Sequence, residues 1–265
     1  MARCWRIVVI VLALLVLGGY ALSEYAPVVL AQDSNRTHLI FIPFLDGGAP
    51  KATGTKHCYA LSENWWYPDV LNKANMISAQ CWHNWYAASA HGMMADGRYT
   101  PSIHTTDRTY MLQSPEYVRW WSANSPGQTW LLLNEPEPEM QNQSPSEAAA
   151  SVALWHDAIG ANGRIACCGV TINSYIPTSW REWMEEYLAA GGMLPDAWHI
   201  HIYAGSVPEW KALLAEWQAW NFEHGNLPTI ISETGVWREV FDYVMALDEP
   251  GIEAVYWFLV PGELN

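Results

Sequence analysis

The chain has 265 residues, 51% of them hydrophobic, enough for a full buried core, which excludes a wholly disordered protein. Its 13 Lys and Arg stand against 27 Asp and Glu, a net charge of −14. A surface this acidic repels nucleic acid and anionic lipid, so neither is expected as a partner. The chain also carries 17 Trp. Packing accounts for most indoles in a protein, but flat aromatic faces are also what sugar rings stack on.

The predicted elements begin with a leader. Arg3 and Arg6 precede Ile7–Leu17, an unbroken apolar run of 11 residues. That is the layout of a secretory signal, and the run is short for a spanning helix, which needs roughly 20 apolar residues. Residues 1–31 therefore read as a signal peptide or an uncleaved N-terminal membrane anchor. Val29-Leu30-Ala31 and Ala21-Leu22-Ser23 offer small-residue cleavage sites. The expected location is extracellular, free or anchored at the outer face of the membrane. Residues 32–55 read as a linker, with loop chemistry on both sides of the apolar His38–Leu45.

From residue 56 to 265 one domain pattern holds. Apolar or β-branched runs at 56–61, 78–85, 99–104, 129–135, 165–172, 197–203, 229–233 and 254–259 predict strands. Between them, 67–76, 115–123, 146–159, 179–190, 208–220 and 237–247 predict helices. Ser144-Pro145 and Ser179 supply start signals for two of them. This alternation predicts an α/β fold, a (β/α)8 TIM barrel. A doubly wound sheet competes, but no glycine-rich phosphate loop opens a helix. The sequence ends six residues past the last predicted strand, which leaves the eighth helix absent or short. Outside the leader, Cys58, Cys81, Cys167 and Cys168 are an even set, readable as bridges or as buried thiols.

The chemistry is expected at strand ends, where barrels of this kind carry their active groups. Two apolar strands end on carboxylates: Trp130–Glu135 and Thr229–Glu233. As strands four and seven they can face each other across the barrel mouth. Paired carboxylates are what glycoside hydrolysis needs, one to protonate the leaving oxygen and one to attack or stabilise the oxocarbenium-like centre.

Leu133-Asn134-Glu135-Pro136 resembles the Asn-Glu-Pro motif of glycoside hydrolase clan A. Within the clan the chain is most similar to the family 128 endo-β-1,3-glucanases. The similar pieces run from Lys56 to Phe258. They include Asn72-Lys73-Ala74-Asn75, Cys81-Trp82-His83-Asn84-Trp85, Tyr99–Ile103, Trp130–Glu137, His199–Tyr203 and Ile231-Ser232-Glu233. His83 and Ser102 depart from the family pattern. The resemblance implies a retaining hydrolase cutting internal β-1,3-glucan bonds without a cofactor, with Glu135 as acid/base and Glu233 as nucleophile. It implies Asn134 on the sugar 2-hydroxyl and Trp257 flooring a sugar subsite.

Trp82, Asn84, Trp85, His201 and Tyr203 are further candidate sugar contacts, and Trp65 and Trp66 candidate platforms. A hydroxyl from Tyr203 near Glu233 would hold that carboxylate ionised, while burial and the charge on Glu233 would keep Glu135 protonated. A monomer with a polysaccharide or oligosaccharide substrate is expected. Two other readings compete. One is a non-catalytic sugar-binding barrel. The other is a metal-dependent hydrolase using His199 and His201, with His83 and His104 within reach of such a set.

Overall fold

The computed structural model describes residues 31–33, 36–38, 54–61, 72, 74–75, 77–85, 96–104, 114–235 and 237–259. The chain divides into two compact units, Met1–Gly48 and Ala49–Asn265. In the first, the described part is an antiparallel pair, Ala31–Asp33 with Arg36–His38. Residues 1–30 of the predicted leader lie outside the described residues. So do Trp65, Trp66, most of the predicted 67–76 helix and the last six residues. Among the described residues no helix is long and apolar enough to cross a membrane.

The second unit is built on eight parallel strands: β1 (Lys56–Leu61), β2 (Trp82–His83), β3 (Ser102–Ile103), β4 (Thr129–Leu132), β5 (Arg164–Asn173), β6 (Ala197–Tyr203), β7 (Thr229–Gly235) and β8 (Ile252–Leu259). Neighbours run in the order β2-β1-β8-β7-β6-β5-β4-β3. A parallel bridge from Trp82 to Tyr99 joins the two ends, so the sheet closes. Helices α1 (Pro115–Asn124), α2 (Pro145–Ile159), α3 (Trp180–Ala189), α4 (Val207–Glu223) and α5 (Arg238–Val244) alternate with the strands from β3 onward. This is a (β/α)8 barrel, and each predicted strand finds its counterpart.

Caps explain where several helices start. Ser114 and Ser206 accept from the backbone N–H three residues on, and Pro115 and Pro208 occupy first-turn positions where no N–H is needed. Ser144 and Ser179 also stand at N-caps, but their hydroxyls turn elsewhere. Ser144 pairs with Ser146, and Ser179 donates to Glu139.

Side chains alternate across each strand, and the two faces differ in size. Cys58, Ala60, Ala166, Ala197 and Ala254 face inward, with Leu131, Ile230 and Tyr256. Small residues suit an eight-stranded barrel, whose interior is just wide enough to be filled by side chains. The outward face is bulky: Trp130, Ile165, Trp198, Ile200, Val255 and Trp257 pack with Trp155, Trp183, Trp210, Trp217 and Trp220 of the helices. Buried indoles need partners for their N–H groups. Trp210 and Trp217 donate to the hydroxyls of Thr234 and Thr229, each at 3.0 Å, and Trp183 donates to the Gln143 carbonyl.

All four described cysteines are paired. Cys58–Cys81 ties β1 to the approach to β2, and Cys167–Cys168 joins neighbours on β5. Directly after that pair β5 bulges at Gly169, where φ is +69°. A Cβ there would lie 2.7 Å from the His199 ring and 3.0 Å from Asn134 Cα, so only glycine fits.

Candidate active site

The C-terminal ends of β4, β6 and β7 converge on one cluster. β4 ends at Leu132, and the chain then turns through Leu133 and Glu135, both at positive φ (69° and 44°). Non-glycine residues rarely occupy this region, and such strain gathers at functional sites. The turn is held because the Glu135 N–H donates to the Gly169 carbonyl and the Glu135 carbonyl accepts from Gln141. Along β6 the period of two puts His199, His201 and Tyr203 on the inward face. A register shift between β6 and β7 follows Ile200 and sets Glu233 opposite His201.

His201, 1% exposed, stands between the two glutamates. Its Nδ1 lies 3.2 Å from Glu135 Oε1 and its Nε2 lies 3.2 Å from Glu233 Oε1. One oxygen of each carboxylate and a ring nitrogen all lie within 4.8 Å of one another. Tyr203 donates its hydroxyl to Glu233 Oε2 at 2.7 Å, and the Trp85 indole N–H donates to Glu233 Oε1. Thr171, on β5, donates to Glu135 Oε1 at 3.2 Å. Glu233 is the deeper of the pair, with 6% of its side chain exposed against 20% for Glu135.

Electrostatics in this cluster reverse the sequence expectation. Burial pushes the Glu135 carboxyl up, but the hydrogen bond and charge of His201 and the bond from Thr171 together hold it below the usual carboxylate range. Burial raises Glu233 and wins over the His201 charge and the bonds from Tyr203 and Trp85. Burial works against a charged His201, but the flanking Glu233 and Glu135 carboxylates overcome it and raise its pKa. The sequence expects the raised carboxyl to be Glu135, whereas in the structure Glu233 and His201 are raised and Glu135 is lowered.

Two residues the sequence reading missed complete the cluster. Thr171 comes to the site only through the β5 bulge, which no local pattern announces. Glu137 is fully buried, and its Oε1 accepts from the Thr171 N–H. Its Oε2 has no partner, and burial pushes its carboxyl up to about 7. The acidic spacing Glu135-x-Glu137 was the available signal.

The remaining sequence candidates divide. Asn134 is buried beside Glu135. Asn84 is buried and accepts from the Tyr99 hydroxyl, while its Nδ2 is unpartnered. Trp85 reaches Glu233 as described, with its backbone carbonyl bound to His104. Trp82 and Trp257 correct the expectation. Trp82 is fully buried on the outward face and donates to Asp96. Trp257 packs edge-on against Phe241 of α5, with ring centroids 4.9 Å apart. Both indoles pack on the outward face, and the inward residues of β8 are Tyr256 and Phe258. One residue of strand phase exchanges the faces.

The histidine metal set also fails on geometry. His199 Nδ1 and Nε2 are taken by the Ser232 hydroxyl and the Leu132 carbonyl, both at 2.8 Å. Burial lowers its pKa to about 3, so it stays a neutral core residue. His83 is likewise bound to the Ser232 carbonyl and lowered to about 4 by burial.

No protein-family model and no curated protein matches the sequence. Solved structures match by fold. A curdlan-specific exo-β-1,3-glucanase of glycoside hydrolase family 128 from Blastomyces gilchristii is 19% identical, with 78% of this chain and 93% of that chain covered and a TM-score of 0.56. An endo-β-1,3-glucanase of the same family from Amycolatopsis mediterranei, solved with laminaritriose, is 17% identical over 80% and 91%, with a TM-score of 0.56. Another from Lentinula edodes is 19% identical over 78% and 83%, with a TM-score of 0.54. The chain shares their fold. The family whose motifs the sequence resembles is thus also the family of these structural neighbours.

Proposed function

We propose that the chain is a retaining glycoside hydrolase of family 128 that cuts internal β-1,3-glucan bonds. Glu135 is the acid/base and Glu233 the nucleophile. The observation that carries this reading is the glutamate pair bridged by His201 at the barrel mouth, with oxygens within 4.8 Å. Retaining enzymes hold their carboxyl groups about 5–5.5 Å apart, whereas inverting ones leave about 6.5–9.5 Å for a water. The β-1,3-glucanase activity of the structural neighbours supports the substrate class.

With a hydrogen on each ring nitrogen of His201, one 3.2 Å from Glu135 Oε1 and the other 3.2 Å from Glu233 Oε1, the Glu135–His201–Glu233 array holds two protons and a net charge of −1. In the resting site both protons sit on the imidazolium. When substrate arrives, the Nδ1 proton crosses to Glu135 Oε1, leaving His201 neutral and still donating to Glu233. Glu233 attacks the anomeric carbon, the glycosidic C–O bond breaks, and Glu135 gives its proton to the leaving oxygen. Water then attacks the glycosyl ester, loses a proton to Glu135, and frees Glu233. Asn134 contacts the sugar 2-hydroxyl. The protein acts as a secreted or membrane-anchored monomer, consistent with the leader in its sequence.

The test is glucan hydrolysis by the wild type, Glu135→Gln and Glu233→Gln, with product anomers followed by NMR. We expect β-anomers to appear first and each variant to lose about 10²–10⁴-fold or more in kcat. Initial α-anomers would overturn retention. Full activity in either variant would overturn its assigned role.

A further inference from the structure

Two aromatic side chains at the same end of the barrel are absent from the cluster above. Tyr175 follows β5, and Trp237 follows β7 and caps α5. They come from opposite sides of β6, yet the Trp237 indole N–H donates to the Tyr175 hydroxyl at 3.0 Å. Both remain half exposed, at 51% and 56%. Asn173 fixes the loop by accepting the N–H groups of Tyr175 and Ile176. Gly205 lies beneath: a Cβ there would come within 2.6 Å of the Tyr175 hydroxyl, so the pair closes over bare backbone.

The pair is tied to the catalytic cluster by register. Asn173 pairs with Tyr203, and Tyr203 with Gly235, while the Tyr203 hydroxyl holds Glu233. Bland rim packing would turn these faces inward. Here the polar atoms satisfy each other and about half of each side chain is left open, as is half of Ile176 in the same loop. Electron-rich ring faces attract the C–H groups of a pyranose.

We infer that Tyr175 and Trp237 form a sugar-binding platform for the leaving-group side of a β-glucan chain. The inference rests on the proposed glycosidase reading and deepens it. Its direction follows from strand order. Glu135, at the leaving oxygen, ends β4, next to β5 and Tyr175. Trp85, on the β2 side, touches Glu233 and so belongs with the sugar that is attacked. Substrate beyond the scissile bond therefore extends over β5 and β6, where the platform stands.

The experiment measures kcat/KM for β-1,3-gluco-oligosaccharides of three to six units in the wild type, Trp237→Ala, Tyr175→Ala and Tyr175→Phe. Binding of laminarihexaose is measured in parallel in a Glu135→Gln, Glu233→Gln background. A gain with chain length is expected in the wild type, and a drop of about tenfold in the six-to-three ratio in either alanine variant. Hexaose binding should weaken by a similar factor. Tyr175→Phe keeps the ring and should lose about twofold. Thermal melts within a few degrees of wild type show that the variants fold. An unchanged chain-length ratio together with unchanged hexaose affinity overturns the platform. A wild type that cleaves no β-glucan, with hexaose binding still weakened by Trp237→Ala, overturns the hydrolase reading and keeps the platform.

Discussion

The inward and outward faces of the same strands do different work, and β6 shows it within seven residues. Outward, Trp198 sits among Trp217 and Trp220 of α4, with ring centroids 6.4 and 5.6 Å away, and joins a dry aromatic layer. Inward, His199 and His201 stand two residues apart on one face and have opposite fates. His199 is saturated by Ser232 and Leu132 and stays neutral. His201 lies between two glutamates, which raise its pKa. Neither chemical type nor burial separates them; their neighbours do. The same contrast covers the tryptophans. Many of the indoles that draw attention to sugars hold the helices to the barrel.

The sharpest way to break this comparison is at the two histidines. His201→Gln should lower kcat by about 10²–10⁴-fold with a small change in melting temperature. His199→Gln should lower stability, by about 1–3 kcal/mol for the buried groups it leaves unpaired, and spare the kcat of folded protein. Equal activity losses at unchanged stability would erase the distinction. The pH profile adds a sign. Glu233 must be ionised and its pKa is raised, so activity should fall as pH drops through a value above 4.5. The alkaline limb should lie above the usual histidine 6.5, because His201 is raised, and should move down in His201→Gln.

On the outward face, Trp198→Ala should cost about 3–5 kcal/mol in a urea melt, as large-to-small core changes do. Glu137→Gln tests the buried carboxyl behind the site. The folded state holds its proton up to about 7, against the ordinary 4.5 of a glutamate, so wild-type stability should fall as pH rises from 4.5 through 7. The melting-temperature advantage of Glu137→Gln should therefore be absent at pH 4 and grow to a plateau above pH 7. Smallest is Trp257→Phe, a loss of about 1 kcal/mol with the glucan KM within twofold. A large rise in KM would return Trp257 to the substrate.

Much of this was legible beforehand. The alternation of apolar runs with capped helical stretches marks the barrel, and a strand that ends on Asn134-Glu135-Pro136 or Ser232-Glu233 marks the chemistry. The Trp faces were not legible. Strands buried on both sides read as continuous apolar runs, so their phase carries no hydropathy signal. Trp82 and Trp257 were open to either face until the helices packed. Thr171 needed the bulge at Gly169, and Tyr175 and Trp237 are 62 residues apart.

The sequence by itself determined the order of strands and helices and the two carboxylates that end strands, because caps, periodicity and strand ends are local. Only the tertiary structure decided which face each indole took, which way the pKa of each group in the cluster moved and which aromatic side chains stayed half exposed. Those depend on burial and on charges brought together from separate strands, and the free energy of an ion or a ring is set by what surrounds it in space.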